Sequence, residues 1–398
     1  MRDTQPRNLK DMLTEAKNTS ELMVDLAYAA IFYNSEDLSE EVSRLEERLN
    51  SLVFDMRSLA IFAARSHADA EQMAGILQVV QDIEKIGNAA NDIAKIVIKR
   101  LGIPPELLHD IPEAEEIPSR VRVGPDSALA GRSLGELDLP VETGMRPIAI
   151  RREDEWEFDP EPEDILRAGD VLFLQGPPEG VAEVRGLAGV RPLESETTPE
   201  PGGALSELER AVDILIEMKN LSEVAVGLAY SALLYDDAGL AREVVAIEDE
   251  MDEMRYRLER WILLAASHVE DASRLRGMLH LATAAEAISD GAQEMVWMVE
   301  KGEEVHPVLS AAVEESDEVV LKLTVSAGSP ADGKTLEALR LETETGMFAL
   351  AVNRGGRWTY RPRDTYALKA GDSLLVTGAP EGLEPLAELF GQELEEYS

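Results

Sequence analysis

The spacing of hydrophobic residues predicts three long helices in the first quarter of the chain. From about residue 8 to 101, apolar residues recur at three and four positions, the period of an amphipathic helix. The polar segments NSEDLS and SHAD divide this stretch, and LGIPP ends it, because glycine and paired prolines terminate helices. We expect the helices to end near Tyr33, Arg65 and Arg100, with Ser66 or Asp69 capping the third. Long helices joined by short turns predict an antiparallel three-helix bundle.

After an acidic, proline-rich linker at residues 102–117, the hydrophobic period changes to two. RVRVG, PIAIRR, EWEF and DVLFLQG have the alternation or the short apolar runs of β-strands. GRSLGEL predicts a brief helix or turn, and GPPEGVAEVRGLAG predicts a turn followed by a helix. Together they form a small α+β unit of about 70 residues. A domain of this size is marginally stable alone, so pairing with another copy would help it.

The whole pattern then repeats at an offset of 202 residues. EAKNTSELMVDLAYAAIFYN from Glu15 returns as EMKNLSEVAVGLAYSALLYD from Glu217, and ETGMRPIAIRR from Glu142 returns as ETGMFALAVNR from Glu344. A second linker at residues 191–205 separates the copies. The second copy has helical patterns near 206–235, 237–266 and 270–301 and strand patterns in VVLKLTV, FALAVNR, WTYR and SLLVTG. A period this long indicates duplication of a two-domain unit and not a solenoid or propeller.

Turn residues recur at the same offset. Gly131 matches Gly333, and Gly169-Asp170 matches Gly371-Asp372. Glycines at matched turns indicate positions that need unusual φ angles. We therefore expect both α+β units to follow one backbone path.

The charge of the chain is strongly negative. It has 78 acidic and 38 basic residues, a formal net charge of −40, and only 10 of the basic residues are lysines. An acidic excess spread along the chain with scarce lysine resembles proteins of salt-loving archaea, in which carboxylates maintain solubility where salt screens charge. An ordinary acidic cytosolic protein is the alternative. Nucleic acid is not expected as a partner, because phosphate neutralisation needs clustered lysine and arginine.

Several classes of protein are excluded by missing features. The chain has no cysteine, so disulfides, thiolate metal sites and cysteine nucleophiles are absent. It has no apolar run long enough to span a bilayer, and MRDTQPRNLKDM lacks the hydrophobic core of a signal peptide. We expect a soluble, cytoplasmic protein. No nucleophile elbow, P-loop, GxGxxG motif or Glu-x-x-His pair in a bundle is found, so no enzymatic activity is expected.

The α+β units resemble the TrkA C-terminal domain, also called the RCK C-terminal domain. The family pattern is a Gly-[Lys/Arg]-[Ser/Thr]-Leu turn, a strand ending in arginine, a proline after the next strand, and Gly-Asp before the last strand. Both copies carry all four elements, and we expect no nucleotide-binding RCK N-terminal domain. The last three elements are Arg152, Pro160 and Gly169-Asp170 in the first copy, and Arg354, Pro362 and Gly371-Asp372 in the second. The resemblance places these domains at 118–190 and 317–391.

This resemblance implies a ligand site. Family members pair face to face, and several bind cyclic di-AMP or another small ligand at the junction. By position, the ligand-facing residues would be Ile148, Ala149, Ile150, Arg151, Arg152, Leu350, Ala351, Val352, Asn353 and Arg354. Main-chain groups would contact the adenine, and Arg152, Asn353 and Arg354 the phosphate, since arginine recognises phosphate in a bidentate manner.

Two alternatives remain open at this site. Arg152 and Arg354 are also explained as strand-end residues that neutralise nearby acidic side chains. The domains would pair either within one chain, as a pseudo-dimer with unequal halves, or between chains, as a homodimer with two equivalent sites.

The helical units resemble PhoU, which is built from two three-helix bundles, and they are placed at 8–101 and 206–303. The family holds metal ions with Glu/Asp-x-x-x-Asp motifs. The second copy has Glu248 with Asp252 and Glu286 with Asp290, and i,i+4 spacing puts each pair on one helical face. The first copy has uncharged residues at both second positions. Its equivalents are Glu46 with Asn50 (or Glu47 with Ser51 under a one-residue slip) and Glu84 with Asn88, which would weaken binding of a divalent metal ion. In a chain with 78 acidic residues, a solvated acidic surface is the alternative.

The sequence thus predicts an α+β multidomain protein in which two antiparallel three-helix, PhoU-like bundles alternate with two small TrkA-C-like domains. The resemblances imply a non-enzymatic cytoplasmic regulator that senses a small ligand such as cyclic di-AMP through paired TrkA-C domains and regulates a membrane potassium transporter or channel. It would be a homodimer and would reach the membrane only through that partner. The alternative is a PhoU-like metal-binding adaptor that regulates phosphate uptake.

Overall fold

The computed structural model confirms the predicted fold class. It describes residues 8–104, 114, 116–153, 155–189, 207–267, 271–303 and 305–392. The described residues form two compact units. The helical residues before 105 join residues 207–320, and the two strand-rich segments join each other. Each kind of domain therefore forms one compact unit with its own copy.

The first copy begins with three helices whose ends lie within two residues of the predicted positions. They are α1 (Leu9–Tyr33), α2 (Glu36–Ala63) and α3 (His67–Ile98). Asn34, in the left-handed region at φ 46°, ends α1, and the Ser35 hydroxyl then accepts a hydrogen bond from the Leu38 amide to cap α2. Ser66 accepts from the Asp69 amide, so Ser66 is the cap of α3.

The first α+β domain contains an antiparallel four-stranded sheet in the order β1-β4-β2-β3. Its elements are β1 (Ile117–Arg122), α4 (Leu134–Leu137), α5 (Leu139–Thr143), β2 (Arg146–Arg152), β3 (Glu155–Phe158), β4 (Val171–Gly176) and α6 (Pro178–Leu187). The core forms on one face of the sheet, where Leu172 and Leu174 pack with Ile150 and with Val184 of α6. The ladder between β2 and β4 shifts register between Pro147 and Ala149.

The helices of the second copy depart from the prediction at the third position. The expected α7 (Glu207–Tyr235) and α8 (Ala238–Ala265) are present. The third helix, predicted near 270–301, is divided in the structure. A 3₁₀ turn precedes α9 (Arg276–Met295), the helix breaks at Val296 (φ −89°, ψ 0°), and α10 (Trp297–Lys301) follows. No helix in the described residues is long and apolar enough to cross a membrane.

The second α+β domain repeats the first after the short helix α11 (Pro307–Glu314). Its elements are β5 (Val319–Thr324), α12 (Leu336–Leu339), α13 (Leu341–Thr345), β6 (Met347–Arg354), β7 (Arg357–Tyr360), β8 (Ser373–Gly378) and α14 (Leu383–Phe390). The strand order is β5-β8-β6-β7. Gly131 and Gly333 share a φ of 82°, and Asp138 and Arg340 share the left-handed region at 45° and 48°. The predicted common backbone path is thereby confirmed.

The two helical bundles pack on each other through α3 and α9 and exchange contacts through their best-repeated segment. The Lys17 ammonium lies 4.8 Å from the centre of the Tyr230 ring, and the Lys219 ammonium lies 5.3 Å from that of Tyr28. All four side chains are buried. Each copy supplies a cation to an aromatic ring of the other, which gives a physical reason for the recurrence of this segment.

Candidate functional site

The six apolar residues of the predicted ligand strands are core residues. They are Ile148, Ala149, Ile150, Leu350, Ala351 and Val352, none more than 4% exposed. Strand β2 lies between β4 and β3, and the ladders on both sides involve Ala149, Ile150 and Arg151. Their main-chain groups therefore serve largely to hold the sheet together.

Arg152 is occupied by an internal ion pair. Its Nε and Nη2 donate to the two carboxylate oxygens of Asp170 at 3.0 and 2.9 Å, and Nη2 also donates to the Ile165 carbonyl at 3.1 Å. Arg354 makes the same fork with Asp372, at 2.7 and 2.5 Å. Both aspartates are 2% exposed. The structure thus gives both arginines the neutralising role considered above, and phosphate binding by them stays a prediction.

The other two polar residues of the predicted site, Asn353 and Arg151, make different kinds of contact. The side-chain Oδ1 of Asn353 accepts from the Gly356 amide at 3.0 Å across the β6–β7 turn. The Arg151 guanidinium lies 5.5 Å from the centre of the Trp156 ring and forms no ion pair within the described residues. Among the predicted residues, Arg151 is the one with a guanidinium group available to an anion.

Each sheet also carries an aromatic pair that sequence reasoning did not identify. Trp156 and Phe158 stack at 5.3 Å with an interplanar angle of 3°, and Trp358 and Tyr360 stack at 6.1 Å and 19°. The Lys322 ammonium lies 5.3 Å from the centre of the Trp358 ring. The signal was present in the sequence, since EWEF and WTYR place aromatic residues two apart on matched strands. Flat rings beside a cation suit a stacked nucleobase next to phosphate.

The two α+β domains contact each other within the chain through α5 and α13. Gly144 (φ 73°) lies so close to this contact that a Cβ atom there would be 2.6 Å from the Glu342 carbonyl oxygen. Gly346 (φ 65°) stands at the same distance from the Pro140 carbonyl oxygen. Both glycines belong to the repeated ETGM segment. Of the two pairings left open by the sequence, the structure has the pseudo-dimer within one chain.

The four predicted metal-binding carboxylates are brought together where α8 and α9 meet. Burial, followed by the charges of Asp252 and Asp290, raises the pKa of Glu248 to about 7. Burial and the charge of Asp290 also raise the pKa of Glu286. Arg255 lies among them, 3.4 Å from Asp252 and 3.6 Å from Glu286. The cluster therefore contains its own cation.

A second cation reaches this cluster from the first bundle. Lys85 on α3 lies 3.1 Å from both Asp290 and Glu294. In the first copy, Glu46 accepts from Asn50 at 3.0 Å and Glu84 accepts from Arg57 at 2.7 Å. Within the described ranges, no three acidic or histidine side chains are arranged to hold a metal ion. As arranged, these residues fit ion pairs better than a metal ion, and the predicted metal site stays a prediction.

A buried carboxylate that sequence reasoning missed lies near this cluster. Asp82 on α3 is fully buried, and its Oδ1 accepts from Gln78 Nε2 at 3.0 Å. Its Oδ2 has no hydrogen-bond partner among the described residues. Burial, and then the negative charge of Glu294, raise the pKa of Asp82 to about 7, although Lys85 acts in the opposite direction. The matched residue of the second copy is Ala284, so a comparison of the copies would have singled out Asp82.

Replacing Asp82 with alanine should stabilise the protein in a pH-dependent manner. Because the pKa of Asp82 is raised on folding, the protonated carboxyl group stabilises the parent at low pH. That contribution to the free energy of unfolding is lost as the pH rises from about 4 through about 7. We expect the advantage of Asp82→Ala over the parent to grow by roughly 2–3 kcal/mol between about pH 5 and pH 8. Denaturant unfolding at several pH values measures it. A difference that stays constant with pH would contradict the raised pKa.

Two family models match the chain in alternation. The PhoU domain model matches residues 13–97 and 215–298. The TrkA-C domain model matches residues 119–189 and 320–391. The helical segments and the α+β segments thus each fall in one family.

One curated relative shares a short segment with the chain. "Probable potassium channel protein 2" of Methanocaldococcus jannaschii is 39% identical over 62 residues, which cover 16% of this chain. The match spans 18% of that protein's own length.

Several solved structures are similar to parts of the chain. The RCK_C domain dimer of S. agalactiae BusR in complex with c-di-AMP is 30% identical, with a TM-score of 0.18, over 19% of this chain and 97% of that one. PhoU from Pseudomonas aeruginosa is 16% identical, with a TM-score of 0.40, over 74% of this chain and 96% of that one. PhoU from Streptococcus pneumoniae is 12% identical, with a TM-score of 0.36, over 75% of this chain and 97% of that one.

Proposed function

Because this chain belongs to the PhoU and TrkA-C domain families, with two domains of each in alternation, we propose that it is a non-enzymatic regulator of cation transport across a membrane, potassium in particular. In this proposal the TrkA-C pair binds a small ligand. The helical unit, which contains both PhoU domains, contacts the transporter or channel.

The observation that carries this proposal is the TrkA-C pair inside one chain. The domains approach closely at Gly144 and Gly346, and the Arg340 guanidinium lies 2.8 Å from the Glu183 carboxylate across the contact. One chain thus contains one complete pair and needs no second chain to form a junction site. A ligand there would act on the transporter by binding one arrangement of the pair more tightly than another.

Cyclic di-AMP is the first ligand to test. It is named in the solved RCK_C domain dimer of S. agalactiae, and its chemistry suits groups found here. Its adenines could stack on the aromatic pairs of the two sheets, and its phosphates need a cation such as Arg151.

We expect the full chain to bind one cyclic di-AMP per chain in a calorimetric titration. Arg151→Ala should weaken binding about 10-fold, which corresponds to about 1.4 kcal/mol, because a phosphate loses its cation. Arg44→Ala removes an equal charge from an exposed site on α2 and should bind as the parent does. No heat from the parent, or one ligand per two chains, would count against the proposal.

Metal-dependent control of phosphate uptake is the second candidate function. It is favoured by the convergence of Glu248, Asp252, Glu286 and Asp290. Burial, and then the charges of the two aspartates, raise the pKa of both glutamates. Arg255 and Lys85 already balance part of that charge. For this reason we place regulation of cation transport first.

A further inference from the structure

A cleft of about 940 Å³ opens in the helical unit between α3 and the corner where α9 meets α10. Its volume falls within the range of small-molecule sites. Four glutamates line it: Glu71, Glu294, Glu300 and Glu303. No lysine or arginine of the described residues lines it, and Trp297, 48% exposed, forms part of its wall.

Asp82 is buried next to this cleft, one helical turn beyond the lining residue Gln78. It occupies the same stripe of α3 as the lining residues Glu71, Gly75 and Gln78, at spacings of three and four. Gln78 donates to the Oδ1 of Asp82, and burial and the negative charge of Glu294, another lining residue, raise the pKa of Asp82. Its Oδ2 is buried and without a hydrogen-bond partner in the described part of the chain. A buried acceptor without a donor is costly, so a ligand that supplies one there would be favoured.

The second copy indicates that the fold itself does not need the acid. The residue matched to Asp82 is Ala284, also buried. Gly75 and its match Gly277 are both closely packed, Gly75 against Met298 and Gly277 against residues 102 and 103. The Gly277 amide donates to the Gly102 carbonyl at 3.1 Å, and the Ile103 side chain lies 3.2 Å from where a Cβ would be. The buried carboxylate is therefore particular to one side of the duplicated unit.

The charges in the cleft indicate a ligand with several positive groups. Lys85 pairs with Glu294, and Lys301 pairs with Glu300. Glu71, Glu303 and Asp82 have no lysine or arginine partner within the described ranges. Between the carboxylates the wall is apolar, with Val245, Met298 and Trp297.

We propose that this cleft binds a linear aliphatic polyamine, with one ammonium group donating to Asp82 Oδ2. Ammonium groups separated by methylene chains match carboxylates separated by apolar wall, and Trp297 provides a ring face for a cation. Binding here is independent of the TrkA-C ligand, so either proposal can fail alone.

Spermidine titrated into the full chain at constant ionic strength tests this proposal by calorimetry. We expect saturable binding of one spermidine per chain and a loss of at least about 10-fold in affinity in Asp82→Ala. This variant should fold, because Ala284 occupies the matched position. Trp297→Leu should weaken binding about 3-fold through loss of the cation–π contact. Asp55→Ala, which removes an exposed carboxylate from α2 outside the cleft, should bind as the parent does.

Two outcomes would overturn the proposal. Equal binding by the parent and Asp82→Ala would mean that spermidine is attracted by the acidic surface in general. Binding of Mg²⁺ with the same dependence on Asp82, and without competition from spermidine, would identify an inorganic cation site. If circular dichroism shows Asp82→Ala to be unfolded, Asp82→Asn keeps the side-chain shape and serves the same comparison.

Discussion

Replacing Arg354 with alanine should lower the free energy of unfolding by about 3 kcal/mol, because it leaves a buried carboxylate without its cation. Asp372 is 2% exposed and receives two hydrogen bonds from Arg354. Burial raises the pKa of Asp372, but the hydrogen bonds from Arg354 and from the Lys369 amide outweigh burial and hold the pKa below its usual range. Denaturant unfolding at neutral pH measures the loss. Arg152→Ala in the first copy should behave alike.

Two measurements distinguish loss of the Arg354–Asp372 ion pair from a general loss of packing. They are the pH dependence of the free energy of unfolding and a double variant. A carboxyl whose pKa is lowered on folding contributes stability above its usual pKa and loses it as the pH falls. The gap between the parent and Arg354→Ala should therefore narrow below about pH 4. Removing the aspartate as well, in Arg354→Ala with Asp372→Ala, should recover part of the loss. A double variant that adds the two single losses would show that the partners do not interact.

Gly346→Ala should separate the TrkA-C pair and lower the free energy of unfolding by about 3 kcal/mol. About 1 kcal/mol comes from a left-handed φ of 65° that alanine rarely adopts. The remainder comes from a Cβ placed 2.6 Å from the Pro140 carbonyl oxygen, which forces α5 and α13 apart. Hydrogen exchange of the amides of α5 and α13 should become faster, and cyclic di-AMP binding should weaken with it.

Gly355→Ala is the matched control for this variant. Gly355 has a φ of 60° and no atom within 4 Å of the position of a Cβ. Its replacement therefore measures the cost of the left-handed backbone without the cost of a steric contact. We expect it to lose only about 1 kcal/mol and to leave exchange in α5 and α13 unchanged. If the two variants lose equal stability, the contact between the domains contributes nothing.

Hydrophobic periodicity predicted most helices and strands because the local sequence preferences of this chain agree with its fold. The 3.6-residue period and the caps located α1, α2 and α3, and turn glycines located the strands. The exceptions are α11 (Pro307–Glu314), which was not predicted, and Val296, where the segment MVWMVE has no proline or glycine and continues a helical pattern. A local pattern without a helix-breaking residue gives no signal for a break at that point.

The candidate sites were less predictable, because they depend on which residues meet. Arg152 and Asp170 are separated by 18 positions, as are Arg354 and Asp372. That spacing was visible, but only the fold shows that each arginine turns to the aspartate. Asp82 looks in sequence like any polar residue of an amphipathic helix, and its burial follows from the packing of α9 against α3. The sequence also did not show whether the TrkA-C domains pair within one chain or between chains.

The reciprocal cation–π contacts between the bundles affect how far the two halves of the chain can differ in sequence. Lys17 contacts Tyr230 and Lys219 contacts Tyr28, so a half-length chain would need a second copy of itself to complete either compact unit. Joining the halves replaces that association with an intramolecular one, whose effective concentration does not change with dilution. It also removes the requirement that both halves be identical. A fused chain, unlike a homodimer of half-length chains, can carry aspartate at position 82 and alanine at position 284, and so possess a buried carboxylate on one side alone.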